Sequence, residues 1–379
     1  MNRRKATLGA AIVGVVAGAV GLGFLASPAG AGQSPTLPAT TPDALVQSVL
    51  TASPPAMAGT VQIVNNLGLP SIPGLPDQAA NGTSQIRVWT DGVNHSRISI
   101  PSMNSEETVI DDGTTIYDWD STMHTVTEHH INAKGTNKPD LTNPGESNSA
   151  LNPATAARAL VSAVKQTSTV SVDGTDMVAG RPAYDLVLTP KPNQRTLLRQ
   201  VRIAVDAQTH IPLQLMVLAN NTDTPAVQVG FSSLTMGAQD PSLFTFTPPA
   251  GSTVVNGDKT DQKSTQLANQ VAPTFVGTGW ETVVVAHLPA SMTSPDTTTG
   301  PSGNNQSGQN GLFGSSSSSG KSGSAGVLGL VREFGKPVSG SWGSGWVIST
   351  DVGNALITSD GRVAAGFVPQ QVLISALGK

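Results

Sequence analysis

Six segments between Gln85 and Phe231 alternate apolar and polar residues strictly. Because successive side chains of a strand point to opposite faces, each segment places its apolar residues on one side. The polar residues between them predict a solvated second face, which is typical of antiparallel sheets. The apolar positions are Ile86/Val88, Ile98/Ile100, Tyr184/Leu186/Leu188, Val201/Ile203/Val205, Leu213/Leu215/Val217 and Val227/Val229/Phe231. Such a face must be covered, either by helices of the same chain or by a ligand.

Two helices are predicted beside these strands. The first spans 42–52, with Thr41 as its N-cap, and the second spans 152–166, with Asn152 as cap and Pro153 at the first position. Each carries apolar residues on one face. The order of one helix, a run of strands, a second helix and further strands predicts an α+β fold with a curved antiparallel sheet.

The N-terminus predicts export. Three basic residues at 3–5 precede an uncharged stretch, and residues 29–31 (Ala-Gly-Ala) fit a signal-peptidase site. The apolar core nearly reaches the length that spans a bilayer, but it contains five glycines. Residues 1–31 are therefore either a retained signal anchor or a signal peptide cleaved near Ala31, and both place the body of the protein outside the cytoplasm.

Changes in composition indicate how the rest of the chain is divided into domains and linkers. Residues 32–41 are a polar tether, 42–256 hold the main sheet domain, and 257–270 are a polar linker. Residues 271–379 predict a small second α+β domain. They contain a Ser- and Gly-rich insert at 291–326, which is too poor in apolar residues to fold and is predicted to be disordered.

Charge and cysteine content exclude several functional classes. The net charge is −4, and without the three basic residues at 3–5 the remaining 18 basic and 25 acidic residues give −7. This charge and the 4% aromatic content argue against a nucleic-acid partner. The absence of cysteine excludes disulfides, thiolate nucleophiles and cysteine-bound zinc.

No residue pattern indicates an enzyme. Residues 343–346 (Gly-Ser-Gly-Trp) resemble the first strands of trypsin-like proteases, but no histidine follows His287 and no Gly-Asp-Ser-Gly loop occurs. His124, Glu128, His129 and His130 lie too far apart along one strand to enclose a metal, and we interpret them as solvated edge residues. We therefore predict no catalytic residue, no metal site and no cofactor.

The apolar sheet face is the candidate site, and two interpretations remain open. It is either a filled core under the two helices or an apolar cavity for acyl chains. The cavity hypothesis names as lining residues Val61, Ile63, Ile86, Val88, Ile100, Leu186, Ile203, Leu215 and Val229. It places an apolar loop at the cavity mouth, through Leu67, Leu69, Ile72 and Leu75.

Four further segments resemble the LolA/RseB-like lipoprotein-carrier superfamily over about residues 42–255. They are the first strand at 57–63 (MAGTVQI), a segment entering the late hairpins at 180–188 (GRPAYDLVL), a strand–turn–strand element at 205–213 (VDAQTHIPL) and a closing stretch at 244–249 (FTFTPP). The resemblance does not extend to the C-terminal domain. The high Ala, Gly, Thr and Val content is typical of an actinobacterial protein.

The resemblance implies an open half-barrel of antiparallel sheet, with helices that form a lid on its concave apolar face. LolA-like members bind lipoprotein acyl chains, whereas RseB-like members sense signals and regulate an anti-sigma factor. We therefore expect an exported, membrane-associated protein that binds lipid or lipoprotein acyl chains. The alternative is a sensor that docks a membrane protein such as an anti-sigma factor or transporter.

Overall fold

The computed structural model describes residues 34–68, 81–102, 105–131, 153–220, 222–258, 273–288, 331–332 and 334–378. Several predictions therefore lie outside the described residues. They concern the signal segment 1–31, the Asn152 cap, the linker from residue 259 onward and the insert 291–326.

The alternating segments form one large sheet of twelve strands. In sheet order it runs β12-β6-β5-β4-β3-β2-β1-β11-β10-β9-β8-β7. The first and last strands do not pair, so the curved sheet is not closed into a barrel. The strands are β1 (Met57–Asn66), β2 (Asn81–Thr90), β3 (Ser96–Pro101), β4 (Glu106–Asp111), β5 (Thr115–Asp120), β6 (Thr125–His130), β7 (Ser168–Val178), β8 (Arg181–Pro190), β9 (Leu198–Asp206), β10 (Pro212–Ala219), β11 (Pro225–Met236) and β12 (Thr253–Asn256).

The prediction of a purely antiparallel sheet was wrong at one edge, where β12 runs parallel to β6. After β11 the chain crosses the outer face of β3–β6 before it reaches that edge. Phe244 packs there against His95, and Phe246 packs against Tyr117. A parallel neighbour requires a crossover rather than a hairpin, and this stretch over the outer face supplies it.

Two helices lie against the sheet, close to their predicted bounds. Helix α1 is Pro42–Thr51 and helix α2 is Pro153–Val164, which continues into a 3₁₀ turn, Lys165–Thr167. The predicted cap of α1 is confirmed, because the Thr41 hydroxyl accepts a hydrogen bond of 3.3 Å from the amide of Ala44. The helices contact β7, β8, β10 and β11.

One sequence typical of a hairpin turn does not form one. An Asp-Gly pair usually marks such a turn, but Asp173-Gly174 lies within β7, where the pairing with β8 shifts between Val172 and Thr175. The glycine has φ +89°, which a β-bulge accommodates as well as a turn does. The hairpin turn itself is at Ala179-Gly180, where both residues have positive φ.

The C-terminal part forms a second, antiparallel sheet in the order β13-β14-β18-β17-β16-β15. Its strands are β13 (Thr274–Val276), β14 (Val283–His287), β15 (Lys336–Gly340), β16 (Gly343–Ser349), β17 (Asn354–Thr358) and β18 (Arg362–Gly366). Helix α3 (Gln370–Leu377) packs on β14, β17 and β18. The protease-like Gly-Ser-Gly-Trp segment is the start of β16.

Candidate functional site

An uninterrupted apolar row crosses five neighbouring strands of the large sheet. Leu186 on β8 lies opposite Ile203 on β9, which lies opposite Leu215 on β10. Leu215 in turn lies opposite Val229 on β11, and Val229 lies opposite Ile63 on β1. Directly opposed residues share a face and lie about 5 Å apart. The row therefore extends roughly 19 Å across the sheet at about 4.8 Å per strand.

All nine predicted lining residues lie in one hydrophobic core. Val61 pairs with Ile86 beside the row, and Val88 continues the same face on β2. Eight of the nine are at most 9% exposed, and Ile100 on β3 is half-buried against the same core. The structure thus brings the predicted residues together in one core, and α1 and α2 pack on the part of this face formed by β7, β8, β10 and β11.

The layer that covers the apolar face consists of aliphatic side chains from both helices. Helix α1 buries Leu45, Val46 and Val49 in this core, and α2 buries Ala157, Val161 and Val164 in it. Both helix sequences are rich in Ala, Ser, Thr and Val.

Of the predicted mouth loop, only Leu67 falls within the described residues, since Leu69, Ile72 and Leu75 lie outside them. Leu67 is fully buried in the main core. Its carbonyl accepts a hydrogen bond of 3.4 Å from the amide of Asp351 in the second sheet's β16–β17 turn. The start of this loop is therefore fixed between the two sheets.

Sequence reasoning missed the contribution of the second sheet to the main core. Trp280 and Val352 are buried in it, and the Trp280 indole donates a hydrogen bond of 2.9 Å to the Ser168 hydroxyl at the start of β7. The Phe367 carbonyl accepts from the Leu197 amide at 2.9 Å and from the Thr196 hydroxyl at 2.6 Å. The two sheets are consequently packed as one unit beside α2.

The apolar face becomes acidic on β4 and β5. Ile100 lies opposite Glu107, which lies opposite Asp120, and Ile98 leads through Val109 to Asp118 by the same pairing. These carboxylates therefore share the face of the apolar row. Burial raises the pKa of Asp118, repulsion by Asp120 raises it further, and His129 on β6 opposes that rise. The face thus presents an apolar region beside an acidic one.

Two of the LolA/RseB-like segments meet in a buried ion pair. Asp206 is completely buried, and both its carboxylate oxygens accept from Arg181, at 2.6 Å from Nε and 2.8 Å from Nη2. The same carboxylate accepts from the amide and the hydroxyl of Thr209, each at 2.7 Å. This network fixes the turn between β9 and β10 and therefore the register of the apolar row.

The prediction that the histidine cluster lies on an edge strand was wrong, because β12 pairs with β6. His124 and His130 are nevertheless exposed, and His130 contacts Asp258 through Nδ1 at 3.1 Å. Within the described residues, no group of three or more histidine or acidic side chains is arranged to hold a metal ion. None of the described helices has the length and apolar character needed to cross a membrane.

Comparisons with known proteins find similarity only among solved structures. No protein-family model and no curated protein matches the chain. Among solved structures, the chain is similar to MucB in complex with MucA(peri), with 13% identity and a TM-score of 0.40, covering 88% of this chain and 95% of that one. It is similar to a LolA superfamily protein from Nitrosomonas europaea, with 12% identity, a TM-score of 0.23 and coverage of 55% and 99%. It is also similar to an uncharacterized conserved protein from Thermus thermophilus, with 8% identity, a TM-score of 0.33 and coverage of 56% and 98%.

Proposed function

We propose that this chain is an exported, membrane-associated binding protein that holds lipid or lipoprotein acyl chains between the large sheet and helices α1 and α2. The observation that carries the proposal is the apolar row from Leu186 to Ile63, which crosses five strands without a polar interruption. The motifs shared with LolA-like proteins support the same function. The proposed attachment to the membrane is through the N-terminal segment.

Binding at this face requires the helices to move aside, and the cost of moving α1 alone sets a minimum length for a bound acyl chain. Helix α1 buries three apolar side chains, Leu45, Val46 and Val49. Exposing them costs roughly 5–9 kcal/mol at about 1.5–3 kcal/mol each. Each buried methylene contributes about 0.8 kcal/mol, so roughly 6–11 methylenes are needed to offset the cost of moving α1. The proposal therefore predicts that affinity appears only for chains at or beyond this length and rises with each added methylene.

The test is displacement of a fluorescent fatty acid from the purified full chain. Leu215→Glu places an unpaired charge in the middle of the apolar row and should abolish binding. Gln214→Glu is the matched control, because it adds the same charge on the opposite face of the same strand and should leave binding unchanged. Thermal unfolding of both variants separates loss of the site from loss of the fold.

The alternative function is docking of a membrane-bound regulatory protein or transporter, as the RseB-like motifs imply. It replaces the carrier function if the folded wild-type chain binds no acyl probe. Neighbouring genes also separate the two functions, because a transporter operon favours carriage and a sigma/anti-sigma pair favours regulation. For both functions we propose a binding protein rather than an enzyme.

A further inference from the structure

The helical layer over the apolar face contains one positively charged side chain. Helix α2 has the sequence PATAARALVSAV, in which Arg158 is the only charged residue, and the only charge of α1 is the exposed Asp43. Arg158 directly follows Ala157, which is completely buried in the main core. The side chain of Arg158 is half-buried. Its guanidinium therefore lies at the border between the main core and helices α1 and α2.

The guanidinium reaches from α2 to the end of α1. Its Nε donates a hydrogen bond of 3.0 Å to the carbonyl of Val49, in the last turn of α1. Its Nη2 is buried and makes no hydrogen bond within the described residues. Burial lowers the pKa of Arg158, and no acidic neighbour acts in the opposite direction. Within the part of the chain that the structure describes, Arg158 is therefore a desolvated cation without a paired anion.

Comparison with a second arginine, Arg181, shows which kind of partner the Arg158 guanidinium lacks. Arg181 uses the same pair of atoms, Nε and Nη2, to hold both oxygens of Asp206. Arg158 has only a carbonyl on Nε. The hydrogen bond to the Val49 carbonyl explains part of the position of Arg158, because α1 has no basic residue of its own in its last turn and a cation there stabilises the helix dipole. This hydrogen bond leaves Nη2 of Arg158 unsatisfied, whereas buried charged donors are normally paired.

We propose that Arg158 receives the anionic head group, a carboxylate or a phosphate, of an amphiphile whose chain lies on the apolar row. This rests on the proposed acyl-chain function and specifies its ligand class. A chain beneath α1 and α2 brings its head group to the helix layer, where Nη2 is the one buried donor of Arg158 that is free. Guanidinium pairs with carboxylate and phosphate through charge-assisted hydrogen bonds that are about twice as strong as neutral ones.

The experiment measures binding of four probes with the same fourteen-carbon chain to the full-length protein at pH 8, where carboxylates are ionised. The probes are tetradecanoate, tetradecyl phosphate, tetradecanol and tetradecyltrimethylammonium. Wild type should bind one or both anions about 10- to 100-fold more tightly than the alcohol, and the cation more weakly than the alcohol. The preferred anion distinguishes a fatty-acid ligand from a phospholipid-like one.

Two variants locate this preference. Arg158→Met keeps the apolar stem of the side chain and removes its charge, so the ratio of anion affinity to alcohol affinity should fall to about one, whatever the variant does to the affinity for the alcohol itself. Arg158→Lys should retain part of the preference, because an ammonium keeps the charge but not the planar fork. The wild-type comparison of anion and alcohol needs neither variant and tests the proposal even if both variants unfold.

Each contrary result has a separate meaning. Equal wild-type affinity for the anions and the alcohol overturns the anion site and leaves the acyl-chain function intact. A preference that survives in a folded Arg158→Met variant also overturns it. If wild type binds none of the four probes, the acyl-chain function fails together with the anion site.

Discussion

The substitution Asp206→Asn tests whether the buried ion pair fixes the turn between β9 and β10. In the wild type, Asp206 is completely buried and Arg181 is 19% exposed. Asparagine has nearly the same shape but no charge, so the guanidinium loses its anion without a change in volume. Removing one partner of a buried pair costs about 3–5 kcal/mol, and we expect a loss of unfolding free energy of this size.

The chain supplies a matched control for this substitution. Arg199 and Asp223 form an ion pair of similar length, 2.9 Å, but Asp223 is 96% exposed. Exposed pairs contribute about 0–1 kcal/mol because water screens them. Asp223→Asn should therefore cost at most about 1 kcal/mol. The assay is urea unfolding of the full chain at pH 7, monitored by tryptophan fluorescence.

The pH dependence gives a second, independent readout. Despite burial, the hydrogen bonds from Arg181 and Thr209 lower the pKa of Asp206 below its ordinary value. A depressed acidic pKa stabilises the folded state above the unfolded-state pKa of about 4, and this stability is lost as pH falls through the folded-state pKa. The difference between wild type and Asp206→Asn should therefore shrink below about pH 4. A cost at pH 7 no larger than that of Asp223→Asn, or a difference that does not change with pH, would refute this reasoning.

Three further outcomes follow from the contacts described above. The pKa of Asp118 is raised in the folded state, so the ionised side chain lowers stability at pH 7. Asp118→Asn should therefore raise the melting temperature at pH 7 and lose this advantage below about pH 4. An equal gain in melting temperature at both pH values would contradict this prediction. Trp280→Phe removes the hydrogen bond to Ser168 and should cost about 1 kcal/mol or more of unfolding free energy, whereas an unchanged urea midpoint would show that the bond contributes nothing. Thr41→Ala removes the cap of α1 and should destabilise that helix by about 1 kcal/mol. Because α1 must move aside for the acyl chain to bind, affinity for the acyl probe should then rise by up to about fivefold. Weaker binding by a folded variant would argue against this movement of α1.

The sequence was sufficient to predict the main sheet and its covering helices because both depend on local pattern. Alternation places residues such as Leu186 and Ile203 on one face whatever their partners are, and the Thr41-Pro42 pair marks a helix start by its own chemistry. The nine candidate lining residues follow from the same alternation. The structure places them in one hydrophobic core, and their role in lining a ligand cavity stays a prediction.

The features that were not predicted depend on contacts between distant segments. The parallel pairing of β12 with β6 joins residues more than a hundred positions apart, and nothing local in Thr253–Asn256 indicates it. Asp173-Gly174 has a sequence typical of a turn but lies within a strand, because a glycine with positive φ serves a bulge as well as a turn. The burial of Trp280 and Val352 in the main core depends on how the second sheet docks. The unpaired donor of Arg158 became visible only with its surroundings.

Photo-crosslinking identifies the residues that a bound acyl chain contacts. A fatty acid with a photoreactive group near the end of its chain would be bound to the full chain and irradiated, and its attachment sites would be identified by mass spectrometry. We expect adducts on the apolar row, in peptides that contain Leu186, Ile203, Leu215, Val229 or Ile63, and we expect unlabelled fatty acid to prevent them. Adducts confined to the outer face of the sheet, or none that an unlabelled fatty acid prevents, would contradict this expectation.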